Sequence, residues 1–326
     1  MTPQEKLSAR QEQPGLVSSA SAPGEPSPAR GLWWRLRIDG LLLVVTMIWG
    51  STFLVTKYTI HFVGPFTYLG YNFGIGALTL ALLFRRHLRH LTGAELRSGL
   101  ILGLLLFSGY ALQTLGLQYT ITSKAGFITG LYIPLVPLFA VLLLRQRPSL
   151  EAGLGFLFSL LGLTLLSVNK DFNLSFGLGE ALILGCAIAF ALHIVCISKF
   201  VVGADALNLA IIQLATTSAL SLTTALLTHE GLLLPASAPI WGAVLFMGVV
   251  DIGFCMGTMN WAQQYISSTH AALIYACEPV WAGIFGTLAG QTLSGLAWVG
   301  GACICLGMIM SEVRLATLLK SRRRSG

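Results

Sequence analysis

Residues 134–166 read PLVPLFAVLLLRQRPSLEAGLGFLFSLLGLTLL, and residues 279–311 read PVWAGIFGTLAGQTLSGLAWVGGACICLGMIMS. The two stretches align without a gap at a constant offset of 145. Identities fall at Pro134/Pro279, Leu143/Leu288, Gln146/Gln291, Ser149/Ser294, Ala152/Ala297, Gly155/Gly300, Leu161/Leu306 and Gly162/Gly307. Leu and Ala coincide readily in apolar sequence, so the Pro, the Gln, the Ser and the two Gly carry the comparison. Upstream, Gln118-Tyr119 and Gln264-Tyr265 each precede a Thr/Ser-containing turn and the next apolar run. The chain is therefore read as two copies of one unit.

A helix that crosses a membrane needs about 20 mostly apolar residues. Reading outward from the repeat gives ten such runs, at 41–61, 65–84, 98–117, 123–144, 151–168, 180–200, 207–227, 240–262, 270–290 and 294–311. A repeat of five helices has odd parity, so the second copy must insert upside down relative to the first. The expected fold is an all-α membrane protein, ten transmembrane helices arranged as a 5+5 inverted-topology repeat. Its parts are a disordered tail at 1–40, repeats at 41–168 and 179–311, and a basic tail at 312–326.

Composition agrees. Of 326 residues, 55% are hydrophobic and 10% charged, against about 25% charged in ordinary soluble domains; the mean hydropathy is +0.76. A net charge of +7 invites a nucleic-acid reading, but there is no basic stripe with interleaved aromatics, so nucleic acid is excluded as a partner. The basic residues instead lie in short clusters between apolar runs. With a cytoplasmic N-terminus, all fourteen Arg fall on the cytoplasmic side and only Lys57, Lys124 and Lys170 lie outside, as the positive-inside rule requires. An error of one span would scramble that pattern. Both termini are thus expected in the cytoplasm, with the lipid bilayer as the chain's surroundings.

The six Cys lie inside apolar runs without metal-ligand spacing and read as small hydrophobes. Residues 1–30 hold five Pro and no apolar core, so no signal peptide precedes Leu41. No phosphate-binding loop appears, which excludes ATP-driven work by this chain alone. No cofactor or metal site is expected, and no signal for an oligomeric state is present.

Two of the thirteen acids fall near the middle of a span, Asp251 and Glu278. An Asp at mid-bilayer costs about 2.5–3.5 kcal/mol on insertion scales, and such residues face a cavity or a partner. Either carboxyl is a candidate for proton coupling. The alternative for Glu278 is structural: Pro279 lacks an N–H and frees the carbonyl of Tyr275, which a protonated Glu278 would help to satisfy. On helical spacing, Gly248, Asp251 and Cys255 share a face, small neighbours that leave room for water. Trp49, Thr52 and Thr56 share another face, and Gly103, Phe107, Tyr110 and Thr114 a third, with Gln113 beside it. Thr129 and Tyr132 come together near Pro134 and Pro137, and Cys186, Phe190 and His193 form a further stripe. Aromatics mixed with hydroxyls suit a cavity for a small amphipathic solute, although the same groups also serve as packing contacts between helices. Gly70, Gly74 and Gly76 are expected to allow close helix packing.

Three motifs add a family resemblance: Trp49-Gly50-Ser51-Thr52-Phe53; Thr122-Ser123-Lys124-Ala125-Gly126-Phe127; and Ala271-Ala272-Leu273-Ile274 followed by Cys277-Glu278-Pro279-Val280. With the 5+5 layout, these resemble the EamA family of the drug/metabolite transporter superfamily over residues 40–311. The resemblance implies a bacterial inner-membrane carrier, an exporter of amino acids or other small metabolites rather than an enzyme. It also implies that helices 1, 3, 4, 6, 8 and 9 surround a central cavity. The sequence departs from the family in one turn, where Arg145-Gln146-Arg147-Pro148 stands in place of a frequent acidic residue. The residues expected to bind a small-molecule solute are Trp49, Thr52, Tyr110, Gln113, Tyr132, His193, Asp251 and Glu278. An intramembrane lipid-modifying enzyme and a non-transporting receptor are the rivals. The first lacks a recognisable catalytic spacing and the second an appended domain.

Overall fold

A computed structural model describes residues 32–144, 150–167, 176–230, 237–266, 271 and 274–312. The tail ends, Lys170 and the Arg145–Pro148 turn lie outside the described residues. In chain order the helices are α1 (Leu32–Val63), α2 (Pro65–Leu83), α3 (Arg85–Leu88), α4 (Gly93–Leu117), α5 (Thr122–Thr129), α6 (Tyr132–Leu144), α7 (Leu150–Ser167), α8 (Leu178–Phe200) and α9 (Ala206–Leu227). There follow α10 (Ala238–Phe246), a π-helical segment (Met247–Met256), α11 (Gly257–Ala262), α12 (Glu278–Leu288) and α13 (Gly295–Glu312). There is no strand among the described residues.

Among the described residues, seven stretches are long and apolar enough to cross a membrane: Leu36–Val63, Pro65–Leu83, Gly93–Leu117, Thr122–Leu143, Leu178–Phe200, Ala206–Leu227 and Ala238–Ala262. Gly153–Leu166 and Gly295–Met310 are shorter apolar helices. Of the ten expected runs, the ninth differs most, because a turn precedes Pro279 and the helix after it runs only from Glu278 to Leu288. The first helix starts earlier than its apolar run, at Leu32. Trp34 there packs edge-on against Trp261 and Tyr265, with ring centroids 6.0 and 6.1 Å away, and apolar contact of that kind holds a helical turn that hydropathy alone does not mark.

Local chemistry sets the boundaries. Gly64, at φ 85°, makes the turn between α1 and α2, a backbone conformation that favours Gly, and Pro65 opens the next helix where a missing N–H costs nothing. Thr92 and Glu95 form a reciprocal capping box on α4. Asp205 caps α9 by accepting from Leu207 N at 2.8 Å and Asn208 N at 3.3 Å. In the first turns of α6, just after the break from α5, Pro134 and Pro137 remove two donors. There the chain uses tighter bonds, Leu131 N to Ile128 O at 3.1 Å and Ile133 N to Gly130 O at 3.0 Å. The same device recurs before Pro279, where Cys277 N donates to Ile274 O at 3.1 Å.

Helices approach closely where small residues permit it. Gly70 lies against Leu222, Gly74 against Ser218 and Gly76 against Ile252, so this stretch of α2 packs as expected. A close backbone-to-backbone seam joins α7 to α13. Gly162 meets the backbone of Gly300 and Ile304, while the Gly155 carbonyl meets Gly307. Each of these glycines is the repeat equivalent of one on the other helix, and the contacts pair them crosswise. Between them Ser159 Oγ points to Ile304 O, its own equivalent at the offset of 145. The two helices are therefore antiparallel and related by a local two-fold.

The α2–α9 pair is fastened at both ends. Glu230, just beyond α9, accepts from Phe66 N and Thr67 N at 3.0 Å at the start of α2. At the opposite end, His87 Nδ1 bonds Asp205 Oδ2, and Asp205 N donates to Glu95 Oε1 at 2.8 Å. Partial burial works to raise the Asp205 pKa, but the His87 ring and the two capping amides hold it below the ordinary carboxylate range. Lys57 and Lys124 are also engaged: Lys57 Nζ donates to Thr120 O, and Lys124 Nζ lies 3.7 Å from Glu180 Oε1. Glu180 in turn accepts from Thr120 Oγ1 at 2.8 Å.

Candidate functional site

One cavity of about 50 Å³ opens between the two halves, enough for roughly three to five water molecules. Its lining comes from α1 (Trp49, Thr52, Phe53), α4 (Leu106, Tyr110, Gln113), the start of α6 (Tyr132) and α8 (Phe190, His193, Ile194). The rest comes from the π segment and α11 (Met256, Met259) and from the break before α12 (Tyr275, Glu278). These elements occupy the first, third, fourth, sixth, eighth and ninth expected spans.

The aromatic wall is a chain of edge contacts. Tyr110 packs on Phe73 at 4.8 Å and on Phe190 at 5.1 Å, and Tyr132 reaches Phe190 at 6.4 Å. Across the cavity Trp49 and Tyr275 stand 5.4 Å apart. The polar groups are held by specific bonds. Tyr132 OH donates to Glu278 Oε2 at 3.2 Å, a contact between the broken helices of the two halves. His193 Nε2 lies 2.7 Å from Gln213 Oε1, so the ring carries its proton there and Nδ1 is its acceptor. Gln113 Nε2 donates to Thr129 Oγ1 at 3.4 Å, and Thr52 Oγ1 to Trp49 O at 2.8 Å. Glu278 begins α12, where the helix dipole favours negative charge.

Seven of the eight residues singled out in the sequence line this cavity: Trp49, Thr52, Tyr110, Gln113, Tyr132, His193 and Glu278. Asp251 does not. It is 1% exposed in the π segment and neither carboxylate oxygen has a hydrogen-bond partner among the described residues. Its neighbours Gly248 and Ile252 pack on Ile75 and Gly76 of α2, away from the lining residues. The space expected beside Gly248 is filled, since a Cβ there would sit 2.6 Å from Ile75 Cβ and 3.2 Å from Asn72 O. A π-helix turns more widely than the α-helix on which that face was drawn. Glu278 bonds to the Tyr132 side chain of the other half. Sequence reasoning missed Phe53, Leu106, Ile194, Met256, Met259 and Tyr275, which look like any core residue. For Tyr275 a signal existed, its place one turn before Pro279.

A cavity built from both halves, with the paired Pro breaks meeting at it, is the arrangement against which comparison with known proteins has meaning. The model of the EamA-like transporter family matches the chain twice, over residues 36–168 and 177–312. The chain belongs to this family. It is therefore a membrane transporter, and the membership points away from an enzymatic role. An uncharacterized transporter of Archaeoglobus fulgidus is 29% identical over 86% of this chain and 87% of its own length. The Bacillus subtilis uncharacterized transporter YyaM is 25% identical over 85% and 94%. The Escherichia coli uncharacterized inner membrane transporter YedA is 27% identical over 87% and 92%. A solved crystal structure shares the fold with a TM-score of 0.63 at 22% identity, covering 87% of this chain and 98% of that one.

Proposed function

We propose that this EamA-like chain is a secondary transporter of ten membrane helices in a 5+5 inverted repeat. It resides in a bacterial inner membrane with both termini in the cytoplasm. The observation that carries the reading is the crosswise glycine seam between α7 and α13 together with a cavity to which both halves contribute. Two like units related in this way can open a shared site to each side in turn. The solute is a small polar or amphipathic metabolite, such as an amino acid or a related compound, and it is bound by Trp49, Thr52, Tyr110, Gln113, Tyr132, His193 and Glu278. Efflux is the direction suggested by the family resemblance. Asp251, buried without a partner beside this site, is the proposed proton-coupling group together with Glu278.

Reconstitution into liposomes with a panel of amino acids and related compounds tests the proposal. Saturable flux, accelerated by unlabelled solute on the far side, is the expected result. Lipid modification without solute flux, or binding without flux, would replace it with the enzyme or the receptor reading. Topology has its own test: a Cys added at the C-terminus should resist impermeant thiol reagents in intact cells, and labelling from outside would sink the ten-helix count.

A further inference from the structure

We infer that the solute enters the cavity as a protonated amine, a small monocation whose ammonium lies against Glu278 among aromatic rings. The inference narrows the proposed transport reading and rests on it for passage across the membrane, but not for binding.

Charge comes first. Of the fourteen residues lining the cavity, Glu278 carries the carboxylate and none is Lys or Arg. A carboxyl at this burial either keeps its proton or pairs with an opposite charge, and no ion pair joins Glu278 to a cation among the described residues, which leaves that place to a cationic solute. An anionic solute would meet like charge with nothing to offset it.

Hydrogen-bond capacity points the same way. Four side-chain donors of the lining are committed within the protein: Tyr132 OH to Glu278, His193 Nε2 to Gln213, Gln113 Nε2 to Thr129 and Thr52 Oγ1 to Trp49 O. The same residues keep acceptors of their own, namely the Glu278 carboxylate, His193 Nδ1 and Gln113 Oε1. An ammonium brings three donors to such a set. Trp49 Nε1 and Tyr275 OH, buried and without a partner among the described residues, are donors left over, but both are neutral, and the lining holds no cation for the carboxylate of a zwitterion. The faces of Trp49, Tyr110 and Tyr275 supply the attraction that aromatic rings offer a desolvated cation.

Valine, isobutylamine (valine without its carboxylate) and isovalerate (valine without its amine) separate the alternatives at nearly constant shape. Binding to the purified full chain in detergent is measured by titration calorimetry. Isobutylamine should bind at least tenfold more tightly than valine or isovalerate, and Glu278→Gln should weaken it at least tenfold. If that variant does not fold, the three-ligand comparison on the unaltered protein decides. Valine or isovalerate binding as tightly as the amine, or no isobutylamine binding, overturns the inference. Saturable valine flux in liposomes without amine binding would overturn it while leaving transport intact. Amine binding without any saturable flux would do the reverse.

Discussion

Gly162→Ala tests the α7–α13 seam directly. The added Cβ would lie 2.6 Å from Gly300 O and 2.7 Å from Ile304 N, where ordinary contact begins at 3.4 Å. Both obstacles are backbone atoms, which cannot rotate aside, so the helices must part by roughly 0.7–0.8 Å. A gap of that size forfeits about a quarter to a half of each dispersion contact along the seam. Overpacking of this kind typically costs about 1–3 kcal/mol, offset by the roughly 0.5–1 kcal/mol that Ala gains over Gly in a helix. A net loss of about 1–2 kcal/mol is expected. Gly300→Ala should cost a similar amount, because its Cβ would meet Leu166 N and Gly162 O at 2.5 and 2.7 Å. The same parting relieves both clashes, so the double variant should fall well short of the sum. Gly153→Ala, on the same helix with nothing within 4 Å, should be neutral or slightly stabilising. Melting in detergent, followed by the surviving monodisperse fraction, reads all four. Gly162→Ala melting level with Gly153→Ala would refute the argument.

Three further outcomes follow from other contacts. Glu230→Ala removes the acceptor for Phe66 N and Thr67 N and should cost about 0.5–2 kcal/mol, the usual range for a lost helix cap, seen as a lower melting temperature. Because the Asp205 pKa is lowered in the fold, its contribution is full above the ordinary carboxylate value of about 3.9 and is lost as pH falls through the folded value. Melting temperature should drop below about pH 4, and Asp205→Asn should flatten that drop. The effect should stay under about 1 kcal/mol, because His87 and Asp205 are partly exposed and screened. Asp251→Asn should abolish flux driven by a pH gradient while leaving solute exchange intact; unchanged gradient-driven uptake in the well-expressed variant removes Asp251 from the mechanism.

The apolar runs made most of the helices legible, because a membrane segment announces itself by length and hydropathy alone. Glu278 and His193 were visible as polar groups in apolar surroundings, and Trp49, Tyr110 and Tyr132 through helical spacing with hydroxyls and Gln113. Met256, Met259 and Ile194 were not, since an aliphatic side chain facing a cavity is indistinguishable in sequence from one facing a neighbour. The π segment left no trace either. Nothing in Met247–Met256 breaks the α pattern, and the widened turn moved Gly248 onto α2 and left Asp251 outside the cavity. Glu230 and Glu180 read as loop and helix-end charges. Their roles depend on partners 163 and 60 residues away, which local pattern does not reach.

On the proposed inverted-repeat reading, the seam between α7 and α13 is its own image under exchange of the two halves, so it contributes equally to the state facing either side. A contact with equal free energy in two states cannot set the balance between them. That balance must come from positions where the halves differ. The two ends of the α2–α9 pair are such a place: one is held by a neutralisable His87–Asp205 pair, the other by the Glu230 carboxylate on bare amides. The same reading makes the resting bias of the carrier tunable at its rims, by pH or by single substitutions, without touching the proposed solute site.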